Sequence, residues 1–192
     1  MHDPTGTLRV LLGQRTLVIS GPGDIAQEQA DAIVNAANSS LMGGGGVDGA
    51  IHRAGGPAIL EACKEVVARI GRLPAGQAVA TPAGRLRARY VIHTVGPIWS
   101  GGTRGEAETL ASCHRESIRV ADELRLTSLV FPAISTGAYG YPVDQAARVA
   151  VASVAEALQR ATHVPEVRFV VFDSATFRHY ASEAQKLGEP SP

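Results

Sequence analysis

Apolar and polar positions along this chain fall into two periods, and the places where the period changes mark its elements. Leu8 to Leu12 and Thr16 to Ser20 are short β-rich runs around Gly13-Gln14, a pattern that predicts a hairpin. Ala32 to Asn35 is a strand too short and apolar to be exposed. Gln77 to Thr81, Tyr90 to Val95, Thr127 to Phe131 and Val167 to Phe172 predict further strands. Helices are predicted for Val47 to Ala54, stopped by Gly55-Gly56-Pro57, and for about Pro57 to Arg69, where proline in the first turn sacrifices no hydrogen bond. Glu106 to Leu124 carries the stripe Leu110, Cys113, Ser117, Ala121, Leu124. Val143 to Gln159 carries Val143, Ala147, Ala150, Val154 and Leu158 on one face. A last helix is expected for Ser174 to Leu187, with Ser174 as its cap and a fraying tail from Gly188. Gly96 to Gly105 is glycine-rich and expected to be mobile surface.

Strands alternate with helices through most of the chain, so the expected fold is an α/β sheet covered on both faces. The opening hairpin makes the sheet mixed. Ligands of such sheets sit beyond the carboxyl ends of the strands. No repeat or linker interrupts the pattern, and 192 residues suit one domain, here residues 1–187 with a short flexible tail at 188–192.

Composition narrows the classes. Apolar residues are 45% and charged residues 19%, enough for a real core. Eighteen Lys and Arg balance eighteen Asp and Glu, which argues against coating nucleic acid or an anionic membrane. No apolar run approaches the ~18 residues that span a bilayer, and the first residues lack a signal pattern. Cys63 and Cys113 read as buried reduced thiols. With no CxxC or HExxH, no metal site and no cofactor are expected. The expected location is cytoplasmic and the expected state a monomer.

The chemistry concentrates between Asn35 and His52. Four glycines, Gly43 to Gly46, follow a strand and precede a helix start. Backbone N–H groups converging there, from Gly43 through Gly44, Gly45 and Gly46 to Val47, make an anion nest, the alternative being a flexible surface turn. The run is neither a Walker loop nor G-x-G-x-x-G. A second loop, Ser135, Thr136, Gly137, Ala138 and Tyr139, occupies the same position after another strand. Two anion loops at one sheet edge suit a diphosphate, and so a nucleotide or nucleotide-sugar. Asp48 and His52 share a helical face by their i,i+4 spacing. Asp48 is either aimed past the phosphates at a hydroxyl or water, or a partner of the helix dipole. His52 reads equally as packing or site. Asn38 suits a ribose hydroxyl, whereas Asn35 reads as an Asx-turn ending its strand. Asp24 can cap a turn or accept from an exocyclic amine, and Phe172 can join the core or stack on a base. His93, His114, His163 and His179 show no partner at catalytic or metal spacing and read as structural or exposed.

Several blocks together closely resemble the macrodomain family, in its MacroD-type branch. They are G-D-I at Gly23 to Ile25, D-A-I-V-N-A-A-N at Asp31 to Asn38, G-G-G-G-V-D-G-A-I-H at Gly43 to His52, Y-V-I-H-T-V-G-P at Tyr90 to Pro97, and F-P-A-I-S-T-G-A-Y-G-Y-P at Phe131 to Pro142. The resemblance implies a three-layer α/β/α fold that binds ADP-ribose. It implies that Asp24 and the Ile25 amide hold the adenine, with Phe172 stacked on it. The two loops would cradle the diphosphate through backbone N–H groups. Asn38, Asp48 and His52 would form the catalytic group at the distal ribose, with Tyr139 against that sugar. Asp48 matches the aspartate that hydrolysing members carry, which implies metal-independent hydrolysis of ester-linked ADP-ribose, either O-acetyl-ADP-ribose or mono-ADP-ribosylated Asp and Glu on proteins. The alternatives are a non-catalytic reader of ADP-ribose, or removal of ADP-ribose from nucleic acid ends. Ala26 departs from a common threonine and removes a hydroxyl from the first loop.

Overall fold

The computed structural model describes residues 6–188; the two ends, including nearly all of the expected fraying tail, lie outside the described residues. The opening hairpin pairs β1 (Gly6–Leu12) with β2 (Arg15–Gly21) in antiparallel register, Leu12 opposite Arg15. Gly13 takes φ +66°, the left-handed conformation that a two-residue connection needs. β3 (Ala32–Ala37), β5 (Tyr90–Val95), β6 (Ser128–Phe131) and β7 (Glu166–Val170) are parallel to β2, and β4 (Ala78–Pro82) runs antiparallel beside β5. The seven strands stand in the order β1-β2-β7-β6-β3-β5-β4.

Alternate residues of each central strand feed opposite faces. Ala32, Val34, Ile92, Leu129, Phe131, Val167 and Phe169 enter one core, closed by α3 (Glu106–Glu123), α4 (Val143–Arg160) and α5 (Ser174–Gln185). Ile33, Val91, Val95, Val130 and Val170 enter the other, under α1 (Gly46–Gly55) and α2 (Pro57–Ile70). Fully burying each such side chain is worth about 1.5–3 kcal/mol, so the two cores fix the strand order. The result is a three-layer α/β/α fold with a mixed sheet.

Four expectations change. β3 continues to Ala37, so Asn35 is inside a strand and is no Asx-turn. β7 ends before Phe172, which stands in the loop beyond it. The cap of α5 is Asp173, whose carboxylate accepts from Thr176 N at 2.7 Å, and Ser174 is already helical. Residues 96–105 are tied down: the Glu106 carboxylate accepts from the backbone N–H groups of Ser100 at 3.0 Å, Gly102 at 2.7 Å and Arg104 at 2.6 Å.

The carboxyl ends of the five parallel strands share one edge of the sheet. The loops leaving β2, β7, β6, β3 and β5 follow one another along it in that order. Every residue singled out at the two glycine loops, at Asp24 and at Phe172 belongs to this edge or to the start of α1.

Candidate active site

The first loop is braced by its own asparagine. Asn38 Nδ2 donates to Gly43 O at 2.9 Å, and its Oδ1 accepts from Ser40 Oγ at 2.7 Å. Gly43 and Gly46 take φ +89° and +58°, which L side chains rarely adopt. Between them the chain turns so that α1 begins with its free first-turn N–H groups at the cleft. The N–H groups of Gly44 and Gly45 have no acceptor among the described residues.

In the second loop Ser135 itself takes φ +66°. Gly96 permits this: a Cβ there would fall 2.2 Å from Ser135 Oγ. Tyr141 N donates to Ser135 O, and Gly140 N to Gly137 O, both at 2.9 Å. Those bonds leave the N–H groups of Ser135, Gly137, Ala138 and Tyr139 without an acceptor among the described residues. Thr136 differs, because its hydroxyl and its N–H both donate to Ala133 O and it lies outside the cleft. The Trp99 backbone N–H donates to Tyr139 O at 2.9 Å, and the Trp99 ring packs on Tyr141 with centroids 4.6 Å apart. Through residues 96–105, Glu106 thus steadies the second loop from behind.

A cleft of about 290 Å³ separates the loops. Asn38, Gly44, Gly45, Gly46, Val47, Asp48, Ser135, Gly137, Ala138 and Tyr139 line it, with Gly96 and Ala36 at its floor. Asp48 is only 5% exposed. Its Oδ1 accepts from Asn35 Nδ2 at 2.7 Å, and His52 Nε2 lies 3.3 Å from the same oxygen. Its Oδ2 is turned toward the first loop: a Cβ on Gly44 would stand 3.2 Å from it and 3.6 Å from Asn38 Nδ2. One carboxylate oxygen is therefore anchored in the protein. The other faces the amide-lined space.

Asn35 is fully buried and reaches past Asp48. Its Nδ2 is also 3.1 Å from His93 Nδ1, and His93 Nε2 is 2.9 Å from Thr81 Oγ1. Leaving any of these buried groups unpaired would cost roughly 1–3 kcal/mol. Burial first, and then the nearby charge of His52, push His93 down to about 3, so the ring is neutral. Cys63 Sγ lies 3.7 Å from His93 Nε2; burial, then Asp48, push this thiol up to about 11, which leaves it protonated and inert. Cys113 is likewise a buried free thiol. His114 is buried on α3 and its Nδ1–H donates to Leu110 O at 2.8 Å, whereas His163 and His179 are exposed.

Farther along the edge, Gly23 N donates to Val171 O at 2.9 Å, which holds the loop after β2 beside the end of β7. Asp24 and Phe172 therefore leave neighbouring strands side by side. Asp24 Oδ1 accepts from Ala26 N at 2.9 Å, so the missing threonine hydroxyl does not leave the turn Ile25–Gln27 uncapped. The Ile25 side chain is buried, and its N–H has no acceptor among the described residues. Phe172 is 85% exposed. Among the described residues, no three His, Cys, Asp or Glu side chains are grouped to hold a metal ion, and no helix is long and apolar enough to cross a membrane.

Comparison with known proteins decides the family. The Macro domain profile matches residues 34–150, more than half of the chain and all of both loops. The chain belongs to the Macro domain family. A macro domain-containing protein of Streptomyces coelicolor is 59% identical over 168 residues, which are 86% of this chain and 95% of that protein. The O-acetyl-ADP-ribose deacetylase of Salmonella typhimurium is 53% identical over 167 residues, 87% of this chain and 93% of that enzyme. The solved macrodomain of Oceanobacillus iheyensis with ADP superposes with a TM-score of 0.91 at 39% identity, over 96% of this chain and 98% of that one.

A larger, open groove of about 540 Å³ lies at the other edge of this macrodomain, lined by Gln29, Asp31, Arg87, Arg89 and Ser128. Its carboxylate is committed: Asp31 Oδ2 accepts from the N–H and hydroxyl of Thr127. The cleft at the carboxyl edge instead brings together Asn38, Asp48 and the two loops. Sequence reasoning missed four of that edge's supports, Asn35, His93, Thr81 and Glu106. The available signal was a polar residue inside an uninterrupted apolar strand, as in A-I-V-N-A-A and Y-V-I-H-T-V.

Proposed function

We propose that this macrodomain binds ADP-ribose and hydrolyses esters of its distal ribose, as an O-acetyl-ADP-ribose deacetylase and an ADP-ribosyl-acylester hydrolase. One observation carries this reading: Asp48 is a buried carboxylate with one oxygen anchored and the other facing a cleft of free backbone N–H groups. The name of the Salmonella relative and the ADP in the Oceanobacillus structure point the same way.

In this reading the diphosphate lies between the two loops, met by N–H groups of Gly44 to Val47 and of Ser135, Gly137, Ala138 and Tyr139. Adenine extends toward Asp24, the Ile25 amide and Phe172. The distal ribose and its acyl group lie over Gly44, within reach of Asp48 Oδ2 and the remaining N–H of Asn38. A water held by Asp48 and the substrate phosphate attacks the acyl carbonyl carbon. The carbonyl–ribose oxygen bond breaks, and the departing alkoxide takes up the proton. The products are ADP-ribose and the free carboxylic acid. General-base help is worth ~10²–10⁴ in rate, and fixed positioning of water adds to it. No step calls for a metal ion. Esters are the expected substrates because an alkoxide leaves more readily than an amide nitrogen.

The decisive experiment is calorimetric titration with ADP-ribose, followed by product analysis on O-acetyl-ADP-ribose and on an Asp/Glu-modified peptide in the presence of a chelator. Binding with release of free acid is the expected result. Binding without turnover would make the protein a reader. Turnover lost to the chelator and restored by zinc would overturn the metal-independent step.

A further inference from the structure

We propose that His93 and Thr81, acting through Asn35, form a buried polar strut that orients Asp48 and are positioning residues for hydrolysis at the cleft. The inference rests on the hydrolase reading for its kinetic consequence. Its geometry stands alone.

The strut crosses three strands on the face under α1 and α2. Asn35 and His93 are direct partners in the β3–β5 register. Thr81 comes from β4, two residues beyond Val79, the residue paired with His93. All three are buried, on the sheet face whose apolar core includes Ile33 and Val91. Apolar side chains would fill such a layer without needing partners, so a continuous polar line through it calls for a reason.

The order of donors gives one. The Asn35 amide has two hydrogens. Its nitrogen is 2.7 Å from Asp48 Oδ1 and 3.1 Å from His93 Nδ1, so each hydrogen has an acceptor. Turning the amide over would set its oxygen against the carboxylate and is excluded by repulsion. His93 Nδ1 must then carry the lone pair, and the ring proton sits on Nε2. That N–H donates to Thr81 Oγ1 at 2.9 Å, and the Thr81 hydroxyl donates to Pro82 O at 3.2 Å. Donation thus runs outward from the Asn35 amide, one way to the Asp48 carboxylate and the other through His93 and Thr81 to the Pro82 carbonyl. Burial of His93 keeps the ring neutral, which an acceptor at Nδ1 requires. With Thr81 unable to accept, only the Cys63 sulfur, a weak acceptor at 3.7 Å, faces that N–H, and the proton is free to move to Nδ1. It would then oppose the Asn35 N–H and push the amide away from Asp48. The Asp48 carboxylate could then rotate and lose the division between an anchored and a free oxygen.

The strut is tested by Thr81→Val, which is nearly isosteric, and by His93→Leu, each paired with a conservative variant that keeps the hydrogen-bonding atoms, Thr81→Ser and His93→Gln. Thr81→Val and His93→Leu are expected to lower kcat on O-acetyl-ADP-ribose by about tenfold or more, with the Kd for ADP-ribose changed by less than about twofold. Thr81→Ser and His93→Gln are expected to recover most of the rate. If His93→Leu does not fold, Thr81→Val against Thr81→Ser decides alone. A nitrogen-15 spectrum of the wild-type histidine rings provides a readout independent of activity, and is expected to show His93 protonated at Nε2 only. Unchanged kcat in Thr81→Val, or a proton on Nδ1, overturns the strut. If the wild-type protein binds ADP-ribose but releases no acid, the hydrolase reading fails on its own and the ring spectrum still decides the geometry.

Discussion

The two ends of the carboxyl edge are built by opposite strategies. Beside β3 and β5, Asp48 is buried, Asn35 and His93 are fully enclosed, and the Asn35 Nδ2, both His93 nitrogens and the Thr81 hydroxyl have partners before any ligand arrives, the Asn35 Oδ1 being left without one among the described residues. Beside β2 and β7, Asp24 and Phe172 stand in solvent, and Phe172 has no ring stacked against it among the described residues. A carboxylate that must hold a water needs its geometry set in advance, because reorganisation would be added to the barrier. An aromatic that grips a flat base needs only one open face. The enclosed end should therefore govern rate, the open end affinity, and the amide-lined middle both.

The sharpest test of that division lies in the middle. Gly45 takes φ −93°, and a Cβ there would meet nothing within 4 Å. Gly45→Ala is therefore expected to bind ADP-ribose nearly as the parent does. Gly45→Glu puts a negative charge where the N–H groups would meet phosphate, and is expected to abolish binding in a calorimetric titration. Tight binding by that variant would remove the first loop from the site. Next in size, Asp48→Ala is expected to cut ester hydrolysis by ~10²–10⁴ while ADP-ribose still binds; unchanged turnover would take Asp48 out of the mechanism. At the open end, Phe172→Ala should weaken ADP-ribose binding roughly fivefold to tenfold, since stacking on a base is worth ~1–3 kcal/mol and this face is half in water. Its kcat at saturating substrate should not move. A fall in kcat with Kd intact would break the comparison.

The two loops, Asp24 and Asp48 stand out in the sequence, whereas the buried residues that support Asp48 do not. Glycine runs, strand-terminal polar residues and helix starts are local signals, so Gly43 to Gly46, Ser135 to Tyr139, Asp24 and Asp48 can be picked out within a few residues. The fold followed from the same local patterns, because apolar alternation of period two and stripes of period 3.6 survive without knowledge of neighbours. The strut depends on strand order. Asn35 lies 58 residues from His93, and Thr81 12 residues from it, and only the sequence β3-β5-β4 across the sheet brings the three together. Reading Asn35 as an Asx-turn was the local answer to a tertiary question. The α5 cap shows the smaller version of this difficulty. Asp173 and Ser174 can both cap a helix, and only the position of the Thr176 N–H chooses between them.

Glu106 gives the smallest effect and the one that reaches across the two strategies, because a buried acid there steadies a loop that lines the cleft. Burial alone would raise its carboxyl, but the N–H groups of Ser100, Gly102 and Arg104 outweigh that and hold it below its ordinary value. A carboxyl whose folded pKa is depressed stabilises the fold at all pH values above its unfolded pKa, ~4.3 for glutamate. That stabilisation is lost as pH falls through the lower folded value. Glu106→Gln keeps the shape and one acceptor but turns an N–H donor against the loop. The variant is expected to melt below the parent at neutral pH, and to bind ADP-ribose a few-fold more weakly because Trp99 no longer holds the Tyr139 carbonyl in place. The gap in melting temperature should stay level from neutral to mildly acidic pH and close only in stronger acid, where the parent's own carboxyl is protonated. A gap that does not depend on pH would mean that Glu106 acts through packing and not through its charge.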